Sequence, residues 1–405
     1  MIWVFEKVFC RIVHGIAKVA IPLLPLPSQE VLAGPGAVKR LPGSVKEKGV
    51  HKLLIVTDKG IVDAGLLEGL FVGLRENGLS YTIFNEVQPN PSIENVEDGL
   101  KLYLGDNCEG IIGFGGGSPM DCAKVIAARS ANMKRPVAKM RGLFKVGIGK
   151  KLPPLFAVPT TAGTGSETTI AAVVTDASTH EKFGVADPKL MPQVAVLDPE
   201  LMLGLPPNLT STTGMDALTH AVEAYVGLMA NKFTDENAEK ATRIIFGTLE
   251  EVYKDGSDLE KRNDMAMASF YAGVAFTRAF VGYVHAVAHQ MGGLYGVPHG
   301  LANAIILPYV LEFSEKKARK KLARLAIAAG IGKSGDSEEE ASRKFIERIK
   351  VMNRNMDIPT TIKELQEKDI PLIVERVLYE AHPLYPVPRM MNKKECEDLV
   401  RRLLP

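Results

Sequence analysis

The stretch GIIGFGGGSPMDCAK, residues 110–124, decides the fold. An apolar run of strand length ends in a glycine cluster, Gly113 to Gly117, and a helix-length amphipathic segment follows it. Ser118 and Pro119 read as the N-cap and first residue of that helix. Free N–H groups at such a helix start cradle a phosphate or pyrophosphate, and glycines let the backbone approach something bulky. The spacing departs from the usual dinucleotide fingerprint, because the sixth place counted from Gly113 is Ser118 instead of glycine. A tight strand-to-helix turn without a ligand is the alternative reading of this loop.

The same alternation extends on both sides. Between Leu53 and Asp198 short β-rich runs, LLIVT, YTIFNEV, GIIGFG, LFAVPT, AAVVTD and QVAVLD, alternate with helical stretches such as IENVEDGLKLYLGD and PMDCAKVIAARSA. That is the pattern of βαβ units on a mainly parallel sheet. After LGLPPNLT the β runs stop and residues 208–402 read as successive helices, which predicts a domain boundary near Pro206. The expected organisation is an extension over 1–29, an α/β dinucleotide-binding domain over 30–205 and a helical domain over 206–405.

Composition narrows the partners. The chain has 405 residues, 46% of them hydrophobic, enough for two or three buried cores. Lysine plus arginine (49) nearly balances aspartate plus glutamate (47), so no global field points to nucleic acid or an anionic membrane. The cysteines, Cys10, Cys108, Cys122 and Cys396, lack CxxC spacing, which argues against a thiolate metal site or a disulfide framework and for a reducing, cytoplasmic setting. The N-terminal segment MIWVFEKVFCRIVHGIAKVAIPLLPLPSQE is apolar, yet Lys7, Arg11, His14 and Lys18 interrupt it every three or four residues. It reads as an amphipathic helix too broken to span a bilayer. The favoured expectation is packing on its own protein or a subunit partner, with loose membrane-surface contact as the alternative.

Three stretches bear on chemistry. Asp58 closes LLIVTD, where an acid at the carboxyl end of a parallel strand can bind ribose hydroxyls and repel a 2′-phosphate, favouring NAD over NADP. A lone acid there is also a common turn or helix cap. Asp216 and His220 are four residues apart in TTGMDALTHAVEAY, on one face of a predicted helix. His285 and His289 repeat that spacing in VHAVAHQMGGLYGVPHG, and His299 follows, so three of the eight histidines fall within fifteen residues. One carboxylate and two or three imidazoles make a nitrogen-rich divalent site, suited to Fe2+ or Zn2+ and poor for Mg2+ or Ca2+. Spacing alone does not separate His285 from His289 as a ligand.

The ordered motifs GFGGGSPMDCAK, VPTTAGTGSE, ADPKLMPQVAVLDPEL, TGMDALTHAVEAY and HAVAHQMGGLYGVPHGLANAIILP make the chain, from about residue 30 to its end, resemble the iron-containing (group III) alcohol dehydrogenase family. The resemblance implies a Rossmann-like N-terminal domain over an all-α metal-binding domain, the fold shared with dehydroquinate synthase, with the active site in the cleft between the domains. It implies metal ligands at Asp216, His220, His285 and His299, and a place near the nicotinamide for His289, where a proton can be relayed. It implies pyrophosphate contacts at Gly116, Gly117 and Ser118, cofactor contacts at Thr161 and Thr164, a ribose-facing Asp58, and Phe276 facing the alcohol. Asp121 would cap the helix after the glycines, and Lys182 would reach the cofactor.

The implied reaction is metal-assisted hydride transfer between an alcohol and NAD, yielding an aldehyde or ketone, in a homodimer or larger homo-oligomer. The segment FTRAFVGYVH departs from the family, since Arg278, Phe280 and Tyr283 are bulkier or more charged than usual; Arg278 could greet a carboxylate or simply stand behind the site. A glycerol- or hydroxy-acid-type dehydrogenase, a dehydroquinate synthase-like lyase and a non-catalytic oligomer are the alternatives.

Overall fold

The computed structural model describes residues 2–21, 26–147, 149–179 and 181–405. Met1 and residues 22–25 of the N-terminal extension lie outside the described residues. The chain divides into two compact units: Pro25–Leu205 with Ser257–Met267, and Met1–Leu24 with Pro206–Gly256 and Ala268–Pro405.

The α/β unit is built on a six-stranded sheet. In spatial order its strands are Glu30–Ala33, Val194–Leu197, Leu155–Pro159, Gly110–Gly115, Lys52–Val56 and Ser80–Phe84, all parallel. Period-two alternation sends side chains to opposite faces. Leu54, Val56, Ile111 and Leu155 pack with Cys122, Val125 and Ile126 of the helix Gly117–Ala131. Leu53, Ile55, Ile112, Phe114, Phe156 and Val158 form a second core with Leu41, Val45, Leu70 and Leu74. A sheet buried on both faces explains why its strands read as continuous apolar runs.

The chain runs from Lys52–Val56 outward to Ser80–Phe84 and then returns to Gly110–Gly115 on the other side of the first strand. The order reverses there, and at such a switch point the carboxyl ends of the strands leave a crevice for a ligand.

AAVVTD behaves differently from the other runs. As Ala171–Asp176 it leaves the parallel sheet and pairs antiparallel with Glu181–Ala186 in a separate three-stranded sheet. The connection between the two strands is far too short for a parallel crossover, so only the antiparallel arrangement is open to them.

The second unit is helical. Its elements include Pro207–Val226, Lys232–Lys254, Tyr283–Tyr295, His299–Ala328, Glu338–Asn355, Ile370–Ala381 and Lys393–Arg401. Asn231 and Asn392 start two of them with capping boxes. Gly300, in VPHG, permits the closest approach: a Cβ there would sit 2.5 Å from the Thr212 carbonyl oxygen. Its absence lets the helix beginning at His299 press against the turn that precedes Asp216. The N-terminal helix Ile2–Ala20 belongs to this unit and packs on residues 383–388 through Arg11 and His14.

Candidate active site

In the helical unit three helices converge. Pro207–Val226 supplies Asp216 and His220, Tyr283–Tyr295 supplies His285 and His289, and His299–Ala328 supplies His299 and Asn303. One ligand atom from each of Asp216, His220, His285 and His299 lies within 4.8 Å of the other three. The first three residues are buried and His299 is partly open.

Buried partners aim these side chains. Glu223, one turn past His220 on the same helix, accepts from Nδ1 of His285 at 2.7 Å and from the backbone N–H groups of Gly282 and Val284 at 2.8 Å each. The proton on Nδ1 leaves the Nε2 lone pair of His285 facing the cluster, the usual device for orienting a metal-binding imidazole. Burial pushes the Glu223 carboxyl up to about 7 and holds His285 well below its ordinary value, so the imidazole is neutral. His220 is sandwiched: its ring stacks on Phe276 at 4.2 Å and on His285 at 4.6 Å between centroids.

The donor chemistry fits a divalent cation. The Asn303 side-chain nitrogen lies 2.6 Å from Asp216 Oδ1, 3.1 Å from His299 Nε2 and 3.3 Å from His285 Nε2. Three lone pairs thus converge on one electropositive amide end. Three imidazoles and one carboxylate form a nitrogen-rich set without sulfur, which a transition-metal dication matches better than Mg2+ or Ca2+.

His289 stands beside this group and outside it. Its Nδ1 donates to Glu380 Oε1 at 2.6 Å, and Glu380 also accepts from the Tyr385 hydroxyl at 2.7 Å and from Gln290 at 3.1 Å. Its ring stacks against His299 with centroids 5.4 Å apart. Arg278 lies over the Phe233 ring, 4.9 Å from its centroid, and the Tyr283 hydroxyl is used by His382 and the Met391 N–H.

The α/β unit gathers a second constellation at its strand ends. Asp58 follows Lys52–Val56, the glycines end Gly110–Gly115, and Thr161 and Thr164 follow Leu155–Pro159. Gly117 has no room for a side chain, since a Cβ would meet Thr164 Cγ2 at 2.9 Å; the corresponding position on Gly116 is 3.8 Å from Thr161. The Thr161 hydroxyl is buried and, among the described residues, has no hydrogen-bond partner, so a polar ligand at this crevice would satisfy it. Asp58 caps the short helix Lys59–Asp63 by accepting from the Ile61 N–H at 3.0 Å.

Two local expectations need correction. The helix is capped at Gly116, so Ser118 stands in its first turn, where its hydroxyl accepts from the Asn90 N–H at 3.1 Å. Asp121 does not cap that helix. It is half-buried and accepts from the Ser166 hydroxyl at 2.7 Å and the Val173 N–H at 2.8 Å, fastening the helix to the loop after Thr164 and to the strand Ala171–Asp176. Lys182 donates to Asn90 Oδ1 at 2.8 Å, and burial pushes its ammonium down to about 8.

Lys124, last residue of the opening stretch, was not singled out by the sequence pattern. Fully buried, it donates to the Ser166 carbonyl and hydroxyl, the Thr169 hydroxyl and the Ala171 carbonyl at 2.6–2.9 Å. Glu223, Glu380 and Asn303 were also missed. Their only available signal was spacing: Glu223 follows His220 by three residues and Asn303 follows His299 by four.

The sequence profile described as Iron-containing alcohol dehydrogenase matches residues 27–199, and that described as Fe-containing alcohol dehydrogenase family, C-terminal, matches 210–404. Alcohol dehydrogenase 4 of Saccharomyces cerevisiae is 41% identical over 375 residues, covering 91% of this chain and 95% of its own. The NAD-dependent methanol dehydrogenase of Bacillus methanolicus is 38% identical over 373 residues, covering 92% and 97%. A crystal structure of 1,3-propanediol oxidoreductase superposes with a TM-score of 0.89 at 38% identity, covering 94% of this chain and 100% of that one. Converging imidazoles, a glycine loop at a sheet's switch point and this likeness along both units make the chain a member of the iron-containing alcohol dehydrogenase family, a metal- and nicotinamide-dependent oxidoreductase that interconverts an alcohol with an aldehyde or ketone.

Proposed function

We propose that Asp216, His220, His285 and His299 hold one divalent ion, Fe2+ with Zn2+ as the alternative, and that the substrate is a short primary alcohol or diol oxidised with NAD. The observation that carries this reading is the convergence of four ligand atoms within 4.8 Å. The ion supplies Lewis acidity, which lowers the pKa of the alcohol oxygen or polarises the carbonyl in the reverse direction.

The chain's own residues do the rest. Glu223 fixes the imidazole of His285, and Phe276, stacked on His220, gives the alcohol carbon an apolar wall. His289, its Nδ1 proton committed to Glu380, takes the alcohol proton at Nε2. The N–H groups at Gly116 and Gly117 bind the pyrophosphate with the help of Ser118, Thr161, Thr164 and Lys182, while Asp121 only anchors the helix behind them. The Asp58 carboxylate receives the ribose hydroxyls and disfavours a 2′-phosphate, which supports NAD. The methanol and propanediol enzymes among the relatives, as their names describe them, support the alcohol class. A reducing cytoplasmic setting, a homo-oligomeric state and a functional division into 30–205 and 206–405 belong to the same reading.

Elemental analysis of anaerobically purified protein beside an absorbance assay with short primary alcohols and diols tests it. The expected outcome is about one iron or zinc per chain, as four protein ligands around one ion require, with NADH appearing. Metal without NADH would point to the lyase alternative, and neither metal nor turnover after reconstitution would refute the site.

A further inference from the structure

The N-terminal helix Ile2–Ala20 is mounted with its apolar face outward. Cys10 and His14 are buried, His14 donates to the Pro383 carbonyl at 2.8 Å, Arg11 donates to the Val387 and Pro388 carbonyls, and Glu6 pairs with His382. On the opposite side Val4, Phe5, Val8, Phe9, Ile12, Ile16 and Val19 are each 52–70% exposed. At 3.6 residues per turn these seven fall within an arc of about 140°, along a helix about 28 Å long. An amphipathic helix that folds against its own protein buries this face; here the polar side makes the contacts.

Glu6, paired with His382, borders one edge of the face, and the other edge is basic. Lys7, Arg11 and Lys18 line one of its edges, and Lys7 and Lys18 are exposed. Burial pushes the Lys321 ammonium below its ordinary value, and the Lys18 charge acts in the same direction. Lys321 belongs to a helical face with Lys317, Lys320 and Arg324, at spacings of three and four residues, and those three are exposed. Asp235 partners Lys321, but among the described residues no carboxylate forms an ion pair with Lys7, Lys18, Lys317 or Lys320.

These charges discriminate between occupants. In a symmetric pair of chains a two-fold axis across the helix would set each edge against itself, Lys7 against Lys18, with like charges opposed. An anionic bilayer surface offers the reverse: hydrocarbon under the headgroups for the apolar face and negative charge for its basic border. No described helix is long and apolar enough to cross a membrane, so the fitting mode is one that lies in the interface.

We propose that Ile2–Ala20, with exposed Lys7 and Lys18 along one edge of its apolar face, docks the enzyme on an anionic membrane surface.

Flotation of the full-length protein with vesicles of equal parts phosphatidylcholine and phosphatidylglycerol, against phosphatidylcholine alone, tests this. Partitioning should be at least about tenfold stronger on the anionic vesicles and should fall with added salt. Phe5→Ser with Phe9→Ser should abolish it, and Lys7→Glu with Lys18→Glu should weaken it by about fivefold or more per residue. None of these residues belongs to the candidate catalytic or cofactor sites, so alcohol oxidation should be unchanged in all variants and serves as the folding control. Absence of vesicle binding, equal binding to both vesicles, or binding that survives the phenylalanine changes would each overturn the proposal. Self-association lost on the phenylalanine changes, without vesicle binding, would assign the face to a second copy instead.

Discussion

In the helical unit the candidate site is made of side chains that other side chains aim, whereas in the α/β unit it is made largely of backbone that missing side chains expose. Asp216, His220, His285 and His299 come from three helices, and Glu223 and Asn303 stand directly behind or between them. At Gly116 and Gly117 the candidate groups are N–H groups, and the polar network of Lys124, Asp121 and Ser166 holds the loop's neighbours from behind. The first construction fails when one ligand is removed. The second tolerates the loss of a hydroxyl and fails when bulk is added.

The largest expected effect separates two histidines on one helix. His285→Ala should remove both metal and activity, read by elemental analysis and NADH formation. His289→Ala should keep its metal and lose about a hundredfold to ten-thousandfold in turnover. Loss of metal from the His289 variant would erase the distinction between holding the ion and moving the proton.

Glu223→Gln probes the aiming of a ligand. A glutamine has one acceptor oxygen where Glu223 uses two, so one of its three hydrogen bonds meets an N–H donor instead. Metal affinity should fall by about tenfold to a hundredfold, measured by competition with a chelator. An unchanged affinity would mean that packing alone holds His285.

On the other side of the comparison, Gly117→Ala drives a methyl into Thr164, at a distance no real Cβ contact has. The KM for the nicotinamide cofactor should rise by about tenfold, roughly one lost hydrogen bond to a charged group, while metal content stays the same. A fall in metal content would show that the two constructions are coupled.

The smallest effect is a pH dependence. Burial lowers the Lys182 ammonium to about 8 in the free enzyme, so the side chain is charged below that pH and neutral above it. If it faces the cofactor phosphates, kcat/KM for NAD should decline as pH rises through about 8, and Lys182→Met should flatten the profile. A decline that persists in the variant would assign the titration elsewhere.

Much of the fold was legible because the inner strands of the sheet are buried on both faces and therefore read as apolar runs, as in GIIGFG over Gly110–Gly115. The run AAVVTD was equally legible as a strand and misleading as to its sheet, because pairing depends on the partner and not on the run itself. Ser118 has the chemistry of a cap, but the chain enters the helix two residues earlier, at a glycine whose backbone alone makes the turn. The N-terminal helix was recognisable as amphipathic; which face it would turn to the protein was not, because either face of such a helix can make contacts.

By itself the sequence determined what local geometry controls: strands and helices, a glycine turn at a strand end, and pairs of potential ligands four residues apart on one helical face. Tertiary structure decided which pairs meet. Asp216 and His299, eighty-three residues apart, come within 3.6 Å. Glu223 reaches the imidazole of His285, and Glu380 reaches that of His289. Helical periodicity fixes direction within about one turn, whereas contacts between helices depend on how whole faces pack, as where Gly300 lets one helix press against Thr212.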